Sequence, residues 1–136
     1  MNKQRKLQRE AEAENQVPGW AQIVIDAHLA AASAAGSYVN RQGDTVAAAV
    51  SHAARMESRR YFVWQEDGGN DLAADNKHDE LAVTGYTDLF TELEFDQAAP
   101  ALGTAFDEAG MAWEYTGASY EPDTGLFHHT WEWEVV

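Results

Sequence analysis

Residues 112–136 read AWEYTGASYEPDTGLFHHTWEWEVV, and this stretch decides the fold. Two runs rich in aromatic residues, 112–120 and 126–136, flank Glu121-Pro122-Asp123-Thr124-Gly125, where proline suits the first turn position and glycine accepts positive φ. That is a β-hairpin. Alternation in its second strand places Phe127, His129, Trp131, Trp133 and Val135 on one face, with His128, Thr130, Glu132 and Glu134 on the other. One face therefore meets a core and the other meets water or a neighbour, and the core face needs a second layer to cover it.

The preceding residues supply that layer and the rest of the sheet. Phe95, Ala98, Ala99, Leu102, Ala105, Phe106 and Ala109 follow a 3.6-residue period, with Glu94 and Asp96 at the favourable N-terminal end and Gly110 as the stop. Residues 81–91 alternate as a strand, with Val83, Gly85, Thr87 and Leu89 on one side, and Tyr61-Phe62-Val63-Trp64 reads as another. Pro18 and Gly19 introduce a helix whose stripe is Trp20, Ile23, Val24, Ala27, Ala30, Ala31 and Ala34, ending at Gly36. Residues 37–40 suit a short strand and 41–44 a turn. Residues 45–56 fit either a helix capped by Asp44 or Thr45, with Val46, Ala49, Val50 and Ala53 on one face, or an inserted loop. Residues 65–80 form a polar, acidic connection. Residues 1–15 place basic residues before acidic ones, against the helix dipole, with Leu7 alone to anchor them, and read as a mobile arm. The expectation is a single α+β domain over 16–136, an antiparallel sheet of about four to five strands with helices packed on one face.

Composition narrows the function classes. The chain has 136 residues with a formal net charge of -14, enough for one domain with one core. Without cysteine there is no thiolate catalysis, no disulfide and no Cys-rich zinc site. Residues 1–60 carry eight bases against six acids, whereas residues 61–136 carry Lys77 alone against seventeen acids, a division of +2 and -16. Such a balance disfavours a broad grip on nucleic acid, and it suggests faces of opposite sign on which copies of the chain associate. No apolar run approaches the ~20 residues of a membrane span, and residues 1–15 are polar where a leader would be apolar.

No phosphate loop, GxSxG elbow or HExxH pair is present, and no catalytic residue, metal site or cofactor is expected. Asp75-Asn76-Lys77-His78-Asp79-Glu80 gathers ligand types, but as a charge run it reads as solvated loop. His128 and His129 are adjacent in a strand, point to opposite faces and do not chelate one ion together. The aromatic set Trp113, Tyr115, Tyr120, Phe127, Trp131 and Trp133 has no basic residue beside it in the hairpin, which makes it core and contact surface rather than a platform for bases.

Several segments, in order, resemble minor tail proteins of long-tailed bacteriophages: Tyr61-Phe62-Val63-Trp64-Gln65-Glu66-Asp67; Asn70-Asp71-Leu72 with Ala74-Asp75-Asn76 and His78; Thr84-Gly85-Tyr86-Thr87-Asp88-Leu89-Phe90-Thr91 leading to Glu94-Phe95-Asp96. The ending, Ala112-Trp113 with Tyr120-Glu121, Asp123-Thr124-Gly125-Leu126-Phe127-His128-His129, Trp131 and Trp133-Glu134-Val135, is similar to the same group. The resemblance implies a structural virion protein of the tail-terminator type, not an enzyme. Such a subunit forms a homo-oligomeric ring, a hexamer, that caps the tail tube and joins it to the head-proximal connector. It implies the tail tube protein and the head–tail connector as partners, genomic DNA passing without specific binding, and a location in the virion tail after assembly in the host cytoplasm. On that reading Glu66, Asp67, Asp71, Asp75 and Asp79 face the lumen or the next ring, and Trp131 and Trp133 contribute to an interface. Two competing readings are a DNA-mimicking inhibitor of a host defence nuclease, and an enzyme holding a metal on Asp75, His78 and a second carboxylate.

Overall fold

The computed structural model describes residues 17–67 and 82–136. In chain order these form helix α1 (Gly19–Ala35), strands β1 (Tyr38–Val39), β2 (Thr45–Val46), β3 (Ala49–His52), β4 (Arg60–Glu66) and β5 (Val83–Thr91), helix α2 (Ala98–Glu108), and strands β6 (Ala112–Glu121) and β7 (Leu126–Val135). β1 and β2 make a small hairpin, and the other strands form a five-stranded sheet in the order β3-β4-β5-β7-β6. Every neighbouring pair in it is antiparallel except β3 with β4. The helices pack together on one face, as the α+β expectation required. Neither is long and apolar enough to cross a membrane.

Alternation builds the core. Phe62 and Trp64 of β4, Val83 and Leu89 of β5, and Trp131, Trp133 and Val135 of β7 all point to the helix side, where Val24, Ala27, Ala31, Leu102 and Phe106 meet them. Two glycines let large rings lie flat. A Cβ on Gly85 would sit 2.4 Å from the Trp133 ring, and one on Gly103 would sit 2.8 Å from the Trp113 ring.

Residues 45–56 are neither a helix nor an inserted loop; they supply β2 and β3. The apolar residues that fit a helical face serve equally in a short strand, and the open edge of β4 decides between them, pairing Ala49 with Tyr61 through His52 with Trp64. The chain then returns to start a parallel neighbour through residues 53–59 alone, where parallel strands ordinarily need a dozen or more connecting residues. Ala53, at φ 66°, takes the left-handed turn this requires, its N–H bonded to the Trp64 carbonyl at 2.9 Å.

The α1 stripe is rotated from the expected one, whereas Ala98, Leu102, Ala105 and Phe106 of α2 are buried as expected. In α1 the buried residues are Ala21, Val24, Ala27, His28 and Ala31, so Ile23, Ala30 and Ala34 face outward. His28 causes the turn. Because the Val24 carbonyl only accepts, Nδ1 carries the proton and donates to it at 2.7 Å, and Nε2 accepts from Thr87 Oγ1 at 2.8 Å. Thr87 Oγ1 in turn accepts from Trp133 Nε1 at 3.0 Å, which completes a satisfied chain from helix to sheet. Burial pushes the His28 pKa down to about 4, so the ring is neutral.

In α2, Phe95 and Ala109 lie outside the helix, and Phe95 is 86 % exposed. Asp96 is the reason. Its carboxylate turns inward to Arg60, with Nη2 to Oδ1 at 2.7 Å and Nε to Oδ2 at 2.8 Å, and it also accepts from Thr91 Oγ1 at 2.7 Å and from the Ala98 N–H at 2.8 Å. Arg60 Nη1 reaches the Gly36 carbonyl beyond the end of α1 at 2.6 Å. Both side chains are buried. Burial opposes ionisation of Asp96, but the bonds from Arg60, Ala98 and Thr91 outweigh it and hold its pKa below the ordinary value.

Two expected outcomes follow from these buried groups. Replacing Asp96 with Ala leaves a buried guanidinium unpaired and costs about 3–5 kcal/mol, measurable by urea denaturation at neutral pH. Both His28 and Asp96 have depressed pKa values when folded, so each stabilises fully above its unfolded value and loses that contribution as pH falls. Stability therefore declines from pH 6.5 toward 4 through His28, and further below 3.8 through Asp96. His28→Gln, which does not titrate, removes the His28 share of that decline in denaturation curves taken at stepped pH, leaving the share of His129, whose pKa burial also lowers.

Candidate functional site

Among the described residues, three ion pairs rejoin charge that is separated along the sequence. Arg55 meets Glu121 at 2.9 Å, Arg59 meets Glu92 at 3.0 Å and Arg60 meets Asp96 at 2.7 Å, each pair linking the basic first part to the acidic second part. Tyr38 Oη also donates to Glu92 at 2.5 Å, and that bond, ahead of the one from Arg59, lowers the Glu92 pKa against the opposing effect of burial. The two exposed pairs add little to stability, at most about 1 kcal/mol each. Their effect is on the surface. Among the described basic residues only Arg41 makes no ion pair, so the charges of Arg55, Arg59 and Arg60 are neutralised internally.

The sheet face away from the helices is divided in two. Residues 53–59 cover one end, where the Arg55 guanidinium lies 4.0 Å over the Phe90 ring and His128 stacks on the other side of the cluster at 4.3 Å from Phe90. Tyr61, Val63, Phe90 and Leu126 are buried there. The other end is bare. Thr84, Tyr86, Glu114, Glu132, Glu134 and Asp67 surround an open cavity of about 460 Å³. Glu114 and Glu132 are directly opposite in the ladder, and neither they nor Glu134 makes an ion pair among the described residues. Like charges in that position oppose folding, so the patch is a surface of one sign maintained at a cost in stability.

A bulge creates this patch. From the turn to Gly117 the hairpin pairs Glu121 with Leu126 and Gly117 with Thr130, but beyond Thr116 the register shifts, pairing Tyr115 with Trp131 and Glu114 with Glu132. Were the ladder to run regularly through Thr116, Glu114 would stand opposite Trp133 on the helix side. The bulge thus sends Trp113 and Tyr115 toward the helices and Glu114 to the open face. Trp113 Nε1 then donates to Asp107 at 2.7 Å and ties β6 to α2.

The residues singled out from sequence separate accordingly. Asp67 lies on the rim of the acidic cavity, its Oδ1 accepting from Thr84 Oγ1 at 2.6 Å. Glu66 points to the helix side and accepts from His52 Nε2 at 2.8 Å, while the His52 ring stacks 4.1 Å from Trp64. Asp71, Asp75 and Asp79, with His78, lie outside the described residues. Trp131 and Trp133 are core residues at 2 % and 3 % exposure, and not interface residues of the single subunit, because α1 and α2 cover the face to which alternation directs them. His128 and His129 do point to opposite faces. His128 bonds Asp88 at 2.7 Å, and His129 meets Tyr115 Oη at 2.9 Å, its pKa lowered by burial. No group of three or more potential metal ligands occurs among the described residues.

Glu132 and Glu134 were legible as outward residues of the last strand; Glu114 was not, since its face depends on the bulge. A second surface feature also escaped the sequence. An apolar groove of about 560 Å³ runs between α1 and β3, lined by Val17, Pro18, Trp20, Leu29, Val50 and His52.

Comparison with known protein families, with characterised proteins and with solved structures finds no match. The geometry of the surface is therefore the basis for any functional reading. If the acidic patch is a functional surface held against its own repulsion, Glu132→Lys stabilises the isolated domain by roughly 0.2–1 kcal/mol at low ionic strength, and the gain shrinks as salt is added. Denaturation midpoints at two salt concentrations check it.

Proposed function

We propose that the chain is a structural subunit of a long-tailed bacteriophage virion, of the tail-terminator type, which assembles with copies of itself into a ring that caps the tail tube and joins the head-proximal connector. The observation that carries this reading is the placement of the segments resembling tail proteins. Residues 61–66 lie in β4, 84–91 in β5 and 126–135 in β7, three adjacent strands at the middle of one sheet. These segments support the reading as parts of the sheet; of the other segments in the resemblance, 70–78 lie outside the described residues and 94–96 and 120–125 fall at or next to connections.

The electrostatics support it. A passage for DNA benefits from walls that repel phosphate, and internal pairing of Arg55, Arg59 and Arg60 leaves Glu114, Glu132 and Glu134 unneutralised by any described cation. The same bare carboxylates favour a second reading, an acidic mimic of DNA that blocks a nuclease. A mimic acts as a single copy on a basic partner, whereas a terminator acts as a ring on a tube.

Negative-stain imaging of the purified protein mixed with tail tubes separates the two. Rings capping one tube end are expected; a chain that neither forms rings with tubes nor labels virion tails, yet binds a nuclease in a salt-sensitive way, overturns the terminator reading in favour of the mimic. For the lumen itself, exchanging Asp67, Asp71, Asp75 and Asp79 for Asn, with Glu66 left in its bond to His52 on the helix side, is expected to alter head attachment or genome ejection. Unchanged infectious titre with normal tails counts against an acidic lumen at those positions.

A further inference from the structure

Between Val46 and Arg60 the chain leaves the body of the fold and returns to it at the same point. Arg60 Nη1 donates to the Val46 carbonyl at 3.4 Å, so the guanidinium that holds Asp96 also clasps the base of the intervening loop. Val46 and Arg60 are both buried, whereas no residue from 47 to 59 is. The loop contains β3, which pairs with β4, and its apolar residues Ala48, Ala49 and Val50 are half-buried. A loop with its ends held together and few buried contacts of its own is free to move without disturbing what lies on either side.

The reversal inside this loop is strained. Ala54 N–H donates to the His52 carbonyl at 2.8 Å, closing a three-residue turn centred on Ala53. With φ at 66° this is the rare, strained form of the γ-turn, and among the described residues Ala53 alone reaches positive φ without being glycine. Beyond the turn, the fastenings are groups that water reaches. Arg55 and Arg59, each about half exposed, bond Glu121 and Glu92 across to other elements, and Ser51 Oγ donates to the Ala54 carbonyl at 2.7 Å. Exposed ion pairs hold weakly, and salt weakens them further.

Beneath these fastenings lies a separate apolar cluster. Tyr61, Val63, Phe90 and Leu126 are buried on the sheet face that the helices do not cover, with the Arg55 guanidinium against the Phe90 ring. Their shelter is therefore residues 53–59 and not a second layer of secondary structure.

We propose that residues 47–59 are a strap that opens as one unit, pivoting on the base clasped by Arg60, and bares Tyr61, Val63, Phe90 and Leu126 while the rest of the domain stays folded. Opening undoes the β3 ladder and the exposed fastenings, and it releases the strain held at Ala53. The strands β4, β5, β7 and β6 and both helices keep their own pairing and core. Closed, this end of the sheet offers polar surface; open, it offers an apolar one. The device stands apart from the ring reading, since it operates within a single subunit.

The absence of cysteine makes the test direct, because one introduced thiol reports on one place. In the full-length chain Val63→Cys and Leu126→Cys each put a thiol beneath the strap, and Leu102→Cys puts one in the core between helices and sheet. Thiols at positions 63 and 126 are expected to react with a soluble reagent many-fold faster than the thiol at 102. Ala53→Gly, which accepts positive φ, slows their reaction roughly two- to five-fold, and Arg55→Ala or added salt speeds it several-fold, with position 102 unmoved. Two probes keep the test open if one variant does not fold. Thiols at 63 and 126 that react no faster than the one at 102 overturn the strap. An Ala53→Gly change that leaves their reaction as it was, or that alters all three thiols alike, overturns it also.

Discussion

Arg60 and Asp96 form the contact on which the remainder of the domain depends. A guanidinium and a carboxylate removed from water are tolerable only when geometry and further hydrogen bonds compensate for lost hydration. Here the compensation is structural. The bidentate pair, the Gly36 carbonyl, Thr91 Oγ1 and the Ala98 N–H bring together the end of α1, the start of β4, the end of β5 and the start of α2. A buried charge network of this kind admits few alternative arrangements, so it sets how the helices meet the sheet. A second polar chain, from the Val24 carbonyl through His28 and Thr87 to Trp133, sets the rotation of α1 about its axis. The apolar core fills the space these two polar links define.

The elements that sequence conveyed are those whose pattern is local. Alternation in β5 and β7, the turn at residues 121–125, the strand at Tyr61 to Trp64 and the helix that ends at Gly110 all depend on nearby residues, and the layer arrangement follows from them. Where expectation and structure part, a distant partner is responsible. Ile23 looked like a core residue until His28 found Thr87, 59 positions away, and Phe95 looked like one until Asp96 found Arg60. Residues 45–56 carry a pattern that suits helix and strand alike, and only the open edge of β4 selects between them.

The same distinction governs the surface. Glu132 and Glu134 were readable as outward residues, but their combination with Glu114 was not, because a bulge does not announce itself in composition. The division of charge along the sequence does not carry over to the described arginines as a separate basic face. Folding pairs Arg55, Arg59 and Arg60 with acids from the other part of the chain. Among the described residues Arg41 alone of the bases stays without an ion pair, while Glu114, Glu132 and Glu134 gather where the helices do not cover the sheet.

The bulge at Thr116 has a consequence for how this surface changes over time. Substitutions alter one side chain at a position and leave its orientation alone. Loss of Thr116, the extra residue, would instead set Tyr115 directly before Gly117 with Trp131 and Thr130 still opposite them, so the ladder would become regular while Trp113 and Tyr115 stay toward the helices and Glu114 on the open face. At the bulge β6 can therefore lose a residue without reversing a side chain, whereas a loss between Ala112 and Tyr115 would carry the strand residues before it to the other face.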